Sequence, residues 1–401
     1  MIYLDNSSTT KPYDEVCKKM AEALSLNWGN PSSLHKLGFT AEKELKEARK
    51  IIADTLGKNP EEIYFTSGGT EADNMFIQGM AYAKARSGLS LITSNVEHPA
   101  ALEAFKTLDA ERDGFKVTYL PVDNRCMLSR DAFIEALNPD TTVISVMCVN
   151  NESGVIFPIN EMAKIVKEYN QANGTNIMLH TDAVQAYGKL DVENLKVDAM
   201  SISSHKIHGP KGVGALYMAK NAHLIPILYG GGQEKNVRPG TENMPGIIGF
   251  GEAAKILHRD FEENGKKMAT VRNYLLAGIK SEIKDIIINS PEEVRRDASK
   301  LGFDDYYSVP SVLNVSFLGT RGEVLLHTLE QDDIYISTGS ACSSNKSGDS
   351  HVLQAMGLNH KEIEGALRFS FNEFNTTEEM DIVLDKLKAA VSKFRKLGSF
   401  R

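Results

Sequence analysis

The segment Ser201-Ile-Ser-Ser-His-Lys-Ile-His-Gly-Pro-Lys-Gly-Val-Gly214 holds the most specific chemistry in the N-terminal two-thirds of the chain. Lys206 follows an apolar, strand-like run and sits among hydroxyls, two histidines and several glycines. A lysine that forms a Schiff base must reach its neutral form. Its free pKa of about 10.4 therefore calls for a desolvated or electropositive pocket. A surface lysine in a Gly/Pro loop would share the same local composition. Some 24 residues earlier, His180-Thr181-Asp182-Ala183-Val184-Gln185 places an acid at the end of another apolar run. A carboxylate there can hold a pyridinium nitrogen in its protonated form and strengthen the ring as an electron sink. Alone, Asp182 suits a helix cap better. An acid at a strand end followed by Ser-x-His-Lys is much rarer than either feature, and together they point to pyridoxal 5'-phosphate (PLP).

Two further stretches bear on chemistry. Ile63-Tyr-Phe-Thr-Ser-Gly-Gly-Thr-Glu71 reads as strand, turn and helix start. Glycines admit close backbone approach, and a helix N-terminus offers unpaired N–H groups to an anion, so the turn suits a phosphate. A plain strand-to-helix turn would also use these glycines. Cys342 lies in Ser337-Thr-Gly-Ser-Ala-Cys-Ser-Ser-Asn-Lys-Ser-Gly-Asp-Ser350, small and polar throughout. A structural cysteine prefers apolar neighbours, and this one has almost none. A nucleophilic sulfur must be a thiolate, against a free pKa of about 8.5; Lys346 or a histidine can supply the compensating charge.

These residues need elements to position them. Apolar runs at Ile63–Thr66, Leu91–Ser94, Val117–Leu120, Val143–Val149, Ile177–Thr181, Ala199–Ser203 and Ala215–Met218 predict seven strands. Helical segments at Glu71–Arg86, Glu97–Leu108 and Ile159–Asn170 separate several of them. That order predicts an α/β fold with a mostly parallel sheet and helices on both faces. Leu45, Ala48, Ile52 and Leu56 keep helical spacing up to Gly57, a C-terminal stop. From Gly246 a long helical stretch runs towards Ile286, followed by strands at Ser311–Ser316 and Ile334–Ser337 and a terminal helix at Thr376–Lys393. The expected organisation is a large domain over 14–258 and a smaller α+β domain over 259–401, with residues 1–13 packed near the latter.

The motifs resemble those of cysteine desulfurases of the NifS/IscS type, in the class V aminotransferase group of PLP enzymes with fold type I. The resemblance covers nearly the whole chain. It runs through Tyr3-Leu-Asp-Asn6, Gly29-Asn-Pro-Ser-Ser33, Thr66-Ser-Gly-Gly-Thr-Glu71, Glu97-His98, Val149-Asn-Asn-Glu152 and Ser204-His-Lys206. It continues through Gly230-Gly-Gly-Gln-Glu234, Arg238-Pro-Gly-Thr-Glu242, Ser340-Ala-Cys342 and Arg368-Phe-Ser370. The resemblance implies that Lys206 forms the Schiff base, Asp182 pairs with the pyridine nitrogen and Gln185 hydrogen-bonds the ring hydroxyl. It implies that His98 stacks on the ring and takes part in proton transfer. Gly69 (through its backbone), Thr70, Ser203 and His205 would hold the phosphate, and Thr241 would reach the phosphate of a neighbouring subunit in a homodimer. Asn151 and Arg368 would bind the substrate carboxylate, Asn151 also lying against the cofactor; a guanidinium fork suits a carboxylate on physical grounds too. Cysteine would become alanine, with its sulfur left as a persulfide on Cys342 for an acceptor protein. Scaffold proteins of iron–sulfur assembly and tRNA-thiolation enzymes are the expected acceptors. Gly69 stands where the family also has alanine, and Thr338 where serine is frequent.

Composition sets the outer limits. The 401 residues are 42% hydrophobic and 24% charged, with a net charge of −8. No basic stripe suggests direct nucleic-acid binding. No apolar run approaches the roughly 20 residues of a membrane span, and the start lacks a signal-peptide pattern, so a cytoplasmic protein is expected. Cys17, Cys126, Cys148 and Cys342 form no CxxC pair, which argues against a zinc knuckle or disulfide framework; the first three read as packing residues. His35 and His208 are expected near the site, and His180, His223, His258, His327, His351 and His360 in packing or on the surface. Three alternatives remain open: a selenocysteine lyase or other class V lyase or aminotransferase, a non-catalytic scaffold of a sulfur-transfer complex, and a nucleotide-binding module. The last lacks both GxxxxGK[ST] and GxGxxG.

Overall fold

The computed structural model describes residues 1–110, 114–338 and 349–398. The strands, in chain order, are β1 (Ile2–Tyr3), β2 (Ile63–Thr66), β3 (Ser90–Ser94), β4 (Lys116–Leu120), β5 (Thr141–Ser145) and β6 (Met178–Asp182). They continue as β7 (Ala199–Ser203), β8 (Gly214–Met218), β9 (Ile286–Ile288), β10 (Val312–Phe317), β11 (Ile334–Tyr335) and β12 (Ala366–Ser370). The helices are α1 (Asp14–Ser25), α2 (Lys36–Leu56), α3 (Gly69–Lys84), α4 (Pro99–Ala110), α5 (Arg130–Ala136) and α6 (Ile159–Asn173). After them come α7 (Met244–Arg259), α8 (Phe261–Glu282), α9 (Gly322–Glu330), α10 (His351–Ala355), α11 (His360–Glu364) and α12 (Thr377–Lys396).

Seven strands form the large sheet in the order β2-β8-β7-β6-β5-β3-β4. Strands β4, β3, β5, β6 and β7 run parallel, and β8 is antiparallel to both its neighbours. Only residues 204–213 join β7 to β8. A parallel crossover needs a dozen residues or more, so this connection must fold back. Strands β5 to β8 are buried at every position, as a sheet covered on both faces requires, whereas edge strand β4 alternates exposed and half-buried.

The expected strand over Val143–Val149 ends at Ser145. Residues beyond it still donate to β6 (Val146 N–H to His180 O at 3.2 Å, Cys148 N–H to Asp182 O at 2.8 Å) before the chain turns at the Val149–Ile156 bridge. The single helix expected after Gly246 is two helices. Asp260, a poor helix former, leaves helical dihedrals (φ −103°, ψ 11°) and separates α7 from α8. Helix α2 ends where expected, with Gly57 at φ 62°.

In the smaller C-terminal domain, β9, β10 and β12 form an antiparallel sheet packed on α8 and α12 through Leu275, Ile279, Phe317, Phe369 and Leu387. Ile2 and Leu4 join that core, and β1 pairs in parallel with β11. Among the described residues no helix is long and apolar enough to cross a membrane.

Candidate active site

The parallel strands all end at one edge of the large sheet, where ligands of such folds bind. Asp182 is the last residue of β6, Ser203 the last of β7, and Lys206 ends the single 3-10 turn after it. Glu97 and His98 follow β3, and Asn151 follows β5. Helix α3 starts at Gly69 and points its unpaired first N–H groups the same way. A cavity of about 240 Å³ forms there, walled by Gly69, Thr70, His98, Asn151, Asp182, Gln185, Ser203, His205 and Lys206, together with Ser8 and Asp73. The structure thus brings nine of the sequence-expected site residues to one space.

Lys206 Nζ donates to the carbonyl oxygens of Ser7 (2.5 Å) and Ser8 (2.9 Å). The N-terminal segment that supplies them is stitched beneath the lysine loop. Thr10 donates to the His205 carbonyl, His208 N–H donates to Thr10 Oγ1 at 2.7 Å, and Gln185 Nε2 donates to Ser7 O at 2.9 Å. Sequence reading gave these N-terminal hydroxyl residues no site role. The run Ser7-Ser-Thr-Thr10 beside the Tyr3–Asn6 motif was the available signal.

Asp182 is buried and accepts one backbone N–H, from Val184 at 2.8 Å. Burial pushes its pKa up to about 6, against the pull of that N–H and the nearby Lys206 charge. Behind it His180 sits between the hydroxyls of Ser145 (2.8 Å) and Ser201 (2.9 Å) and stacks on Phe76. Burial drives the His180 pKa down to about 3, so the ring is neutral. Asp73 is also buried, lies 3.8 Å from His180 Nε2, and its oxygens have no donor at hydrogen-bond distance among the described residues. Burial and the Asp182 charge hold its carboxyl well above the ordinary range. Asp73 is a second residue that the sequence reading passed over. Only the register of α3 against β6 and β7 brings it there.

His98 Nδ1 accepts the Ala100 N–H at 3.1 Å, so the neutral ring bears its proton on Nε2. Burial, then the Lys206 charge, lowers its pKa from 6.5 to about 4. A depressed folded-state pKa stabilises the fold above pH 6.5, and that contribution is lost as pH falls towards 4. Apoprotein melting temperature is therefore expected to drop between pH 6.5 and 4, with His98→Gln flattening that drop. An unchanged pH profile in the variant would place the titration elsewhere. Beneath His98, Glu97 accepts from Ser94 Oγ (2.5 Å) and Met147 N–H (2.9 Å), and burial lifts its pKa to about 8.

Arg368, on β12, does not wall the cavity but fixes residues that do. Its Nη1 donates to Asn151 O (3.1 Å), and its Nη2 to Ser8 Oγ (2.9 Å) and Asp5 Oδ1 (3.0 Å). Its Nε is buried without a partner among the described residues. Ser203 Oγ and Gln185 Oε1 are likewise buried and unpartnered. A Cβ on Gly69 would meet Val184 Cγ2 at 2.6 Å, so alanine here would displace Val184. An amine, a strand-end acid, a helix N-terminus and unsatisfied polar atoms around one cavity fit PLP.

Several residues named from the sequence lie elsewhere on the chain. Thr241 is exposed and outside this cavity. Cys342, Lys346 and the rest of their loop lie outside the described residues. Cys126 and Cys148 are buried as expected, but Cys17 is exposed because it occupies the outer face of α1. His35 caps α2 through Nδ1 to Gly38 N–H and is remote from the cavity wall. His208 packs on Tyr13 and pairs with Glu373 at 3.3 Å instead of lining the cavity. His180 and His351, set aside as packing or surface residues, stand next to the site. His351 Nε2 lies 3.0 Å from the Glu97 carbonyl. Among the described residues no His/Cys/Asp/Glu cluster could hold a metal.

Comparison with known proteins adds a second line. The Aminotransferase class-V family profile matches residues 2–383. A Methanosarcina thermophila protein named "Cysteine desulfurase IscS" is 42% identical over 399 residues, covering 99% of this chain and 93% of its own. A Lactobacillus delbrueckii subsp. bulgaricus "NifS/IcsS protein homolog" is 43% identical over 404 residues, covering 99% and 100%. A solved structure described as "NIFS-LIKE PROTEIN" superposes with a TM-score of 0.87 at 36% identity, covering 98% of this chain and 99% of its own. Another, "SspA in complex with cysteine", gives a TM-score of 0.77 at 32% identity, covering 94% and 100%.

Proposed function

The chain belongs to the class-V aminotransferase family and is a PLP-dependent cysteine desulfurase, and from that premise we propose that Lys206, Asp182, His98, Arg368 and Cys342 perform the reaction. The observation that supports this best is the meeting of Lys206 and Asp182 in one cavity that also contains the unpartnered Ser203 Oγ and Gln185 Oε1.

PLP, when bound, supplies a carbonyl for an amine and a ring that takes up electron density. Lys206 is the residue that would attach it, and its amine would then take the substrate Cα proton. Asp182, at the strand end, would hold the proton of the ring nitrogen. His98 would supply a neutral imidazole to the ring. The first N–H groups of α3, with Thr70, Ser203 and His205, would hold the phosphate. Arg368 and Asn151 orient the substrate carboxylate. Cys342 thiolate would attack the cysteine sulfur: an S–S bond forms, the C–S bond breaks, one proton is delivered to Cβ, and the proton taken by Lys206 is returned to Cα, which completes alanine. The persulfide left on Cys342 passes to an acceptor protein, a cluster-assembly scaffold or a tRNA-thiolation enzyme.

The unit is proposed to be a homodimer. Leu26, Trp28, Leu34 and Phe39 stand exposed around the α1–α2 connection, apolar side chains that a second copy would cover. Thr241, exposed on its own chain, is then available to the phosphate in the second copy's cavity.

The test is product analysis. With a thiol reductant present to reduce the persulfide, cysteine should yield alanine and sulfide in equal amounts, and faster than selenocysteine yields alanine and selenide. A strong preference for selenocysteine would make the selenocysteine-lyase reading correct. Capture with tagged Cys342→Ser identifies the acceptor. Arg368→Lys keeps the charge but loses the fork, and a lost charge-assisted hydrogen bond amounts to about 1.5–3 kcal/mol, or roughly 10- to 150-fold. That loss is expected in kcat/KM for cysteine, mostly through KM; a purely kcat effect would remove Arg368 from carboxylate binding.

A further inference from the structure

Residues 230–243 cross the surface between β8 and α7, and they contain an unusual backbone. Glu234 (φ 43°), Lys235 (φ 58°) and Asn236 (φ 65°) are three consecutive left-handed residues, none of them glycine. Side-chain-bearing residues visit that region singly, and a run of three persists only where the surroundings hold it. Here they do. Glu234 is 3% exposed at its side chain and meets the Arg49 fork on α2 through two hydrogen bonds of 2.7 Å. The same carboxylate accepts Phe65 N–H of β2 at 2.9 Å, and Arg49 Nη1 also donates to Ile63 O at 2.7 Å. The turn is thereby fastened to an edge strand of the large sheet and to the helix packed beside it.

A second anchor follows four residues later. Arg238 Nε donates to Glu71 Oε1 at 2.7 Å, and Glu71 Oε2 accepts Ser67 N–H at 2.6 Å. Glu71 is in the first turn of α3, next to the Gly69–Thr70 cradle. Gly240 N–H is held by Gln233 Oε1 at 3.0 Å. The arm is thus braced twice, yet its tip at Thr241 stays exposed. Such bracing is not needed to fill a core. It suits a hydroxyl that must be presented in a fixed direction to something outside the chain.

We propose that the Arg49–Glu234 pair is a positioning element that holds the 234–241 arm so that Thr241 reaches the phosphate of PLP in a second copy. This rests on the homodimer reading above, and neither Arg49 nor Glu234 touches the chain's own cavity. A guanidinium fork fixes direction where an ammonium does not, so Arg49→Lys keeps the charge and slackens the arm.

The experiment measures PLP dissociation constants by titrating apoprotein, with dimer mass checked by light scattering. Thr241→Ala and Arg49→Lys should each weaken PLP binding roughly tenfold, about the effect of one hydrogen bond to a charged group. The double variant should bind no more weakly than Thr241→Ala, since both act through one hydroxyl. Arg49→Lys with wild-type affinity, or losses that multiply in the double variant, would overturn the positioning role while leaving the shared-site reading intact. Thr241→Ala with wild-type affinity would overturn both. Should Arg49→Lys fail to fold, Glu234→Gln runs the same cycle and decides by the same outcomes.

Discussion

Lys206→Ala is expected to abolish covalent attachment of PLP and to lower alanine formation from cysteine by roughly 10³-fold or more, the combined loss of a positioned amine and a general base. The wild-type protein, reduced with borohydride and digested, should yield one labelled peptide containing residue 206; the variant should yield none. The geometry explains why this half-buried amine and not that of the buried Lys189. Lys206 is the one whose side chain lines the cavity, steered there by Ser7 O and Ser8 O. Lys189 is buried, where desolvation lowers its pKa to about 7, and it does not line the site cavity. Label on any residue other than 206 would end the proposed mechanism. Partial rescue of Lys206→Ala by added methylamine would show that the missing function is that of a small base.

Cys342→Ala is the second large effect. Sulfide release in the presence of a thiol reductant should fall by roughly 10³-fold or more, as expected when a nucleophile is removed. PLP binding should survive. Wild-type protein incubated with cysteine should gain one sulfur atom on the peptide containing residue 342. The buried thiols are poor competitors. Burial pushes the pKa of both Cys126 and Cys148 up to about 12, so neither supplies thiolate at neutral pH. Cys17 is exposed on α1, away from the cavity, and Cys17→Ala should retain full turnover. Persulfide sulfur recovered mainly on Cys17, or turnover undiminished in Cys342→Ala, would reassign the acceptor.

The neutral groups around the cavity belong to the same chemistry. His98, His180 and His205 are all pushed below the usual histidine range by burial, and Asp73 and Glu97 are pushed above the usual carboxylate range. Charge is thereby concentrated on Lys206, Arg368 and Asp182. Those three groups, with the Asp5 carboxylate that pairs with Arg368, then act in a low-dielectric site, which is where preorganised charge acts most strongly.

The chemistry-bearing motifs, the seven strands of the large sheet and the order that makes that sheet mostly parallel are legible in the residues alone. Those follow from local pattern: apolar runs of strand length, glycine at a strand-to-helix turn, an acid or amine at a strand end. Tertiary structure alone decided what local pattern does not encode. The short 204–213 connection forced β8 to run antiparallel, and Asp260 split one expected helix into two. Ser7 and Ser8 reached Lys206 across 199 and 198 residues of chain, and Asp5 reached Arg368 across 363. Asp73, spaced like any helix residue, became a buried acid with its pKa pushed up by desolvation because α3 lies over β6 and β7. His208, beside Lys206 in sequence, turned away at φ 62° to pair with Glu373. Proximity along the chain constrains a side chain's neighbourhood only over a few residues; which face it points from, and what desolvates it, depends on packing between segments far apart in sequence.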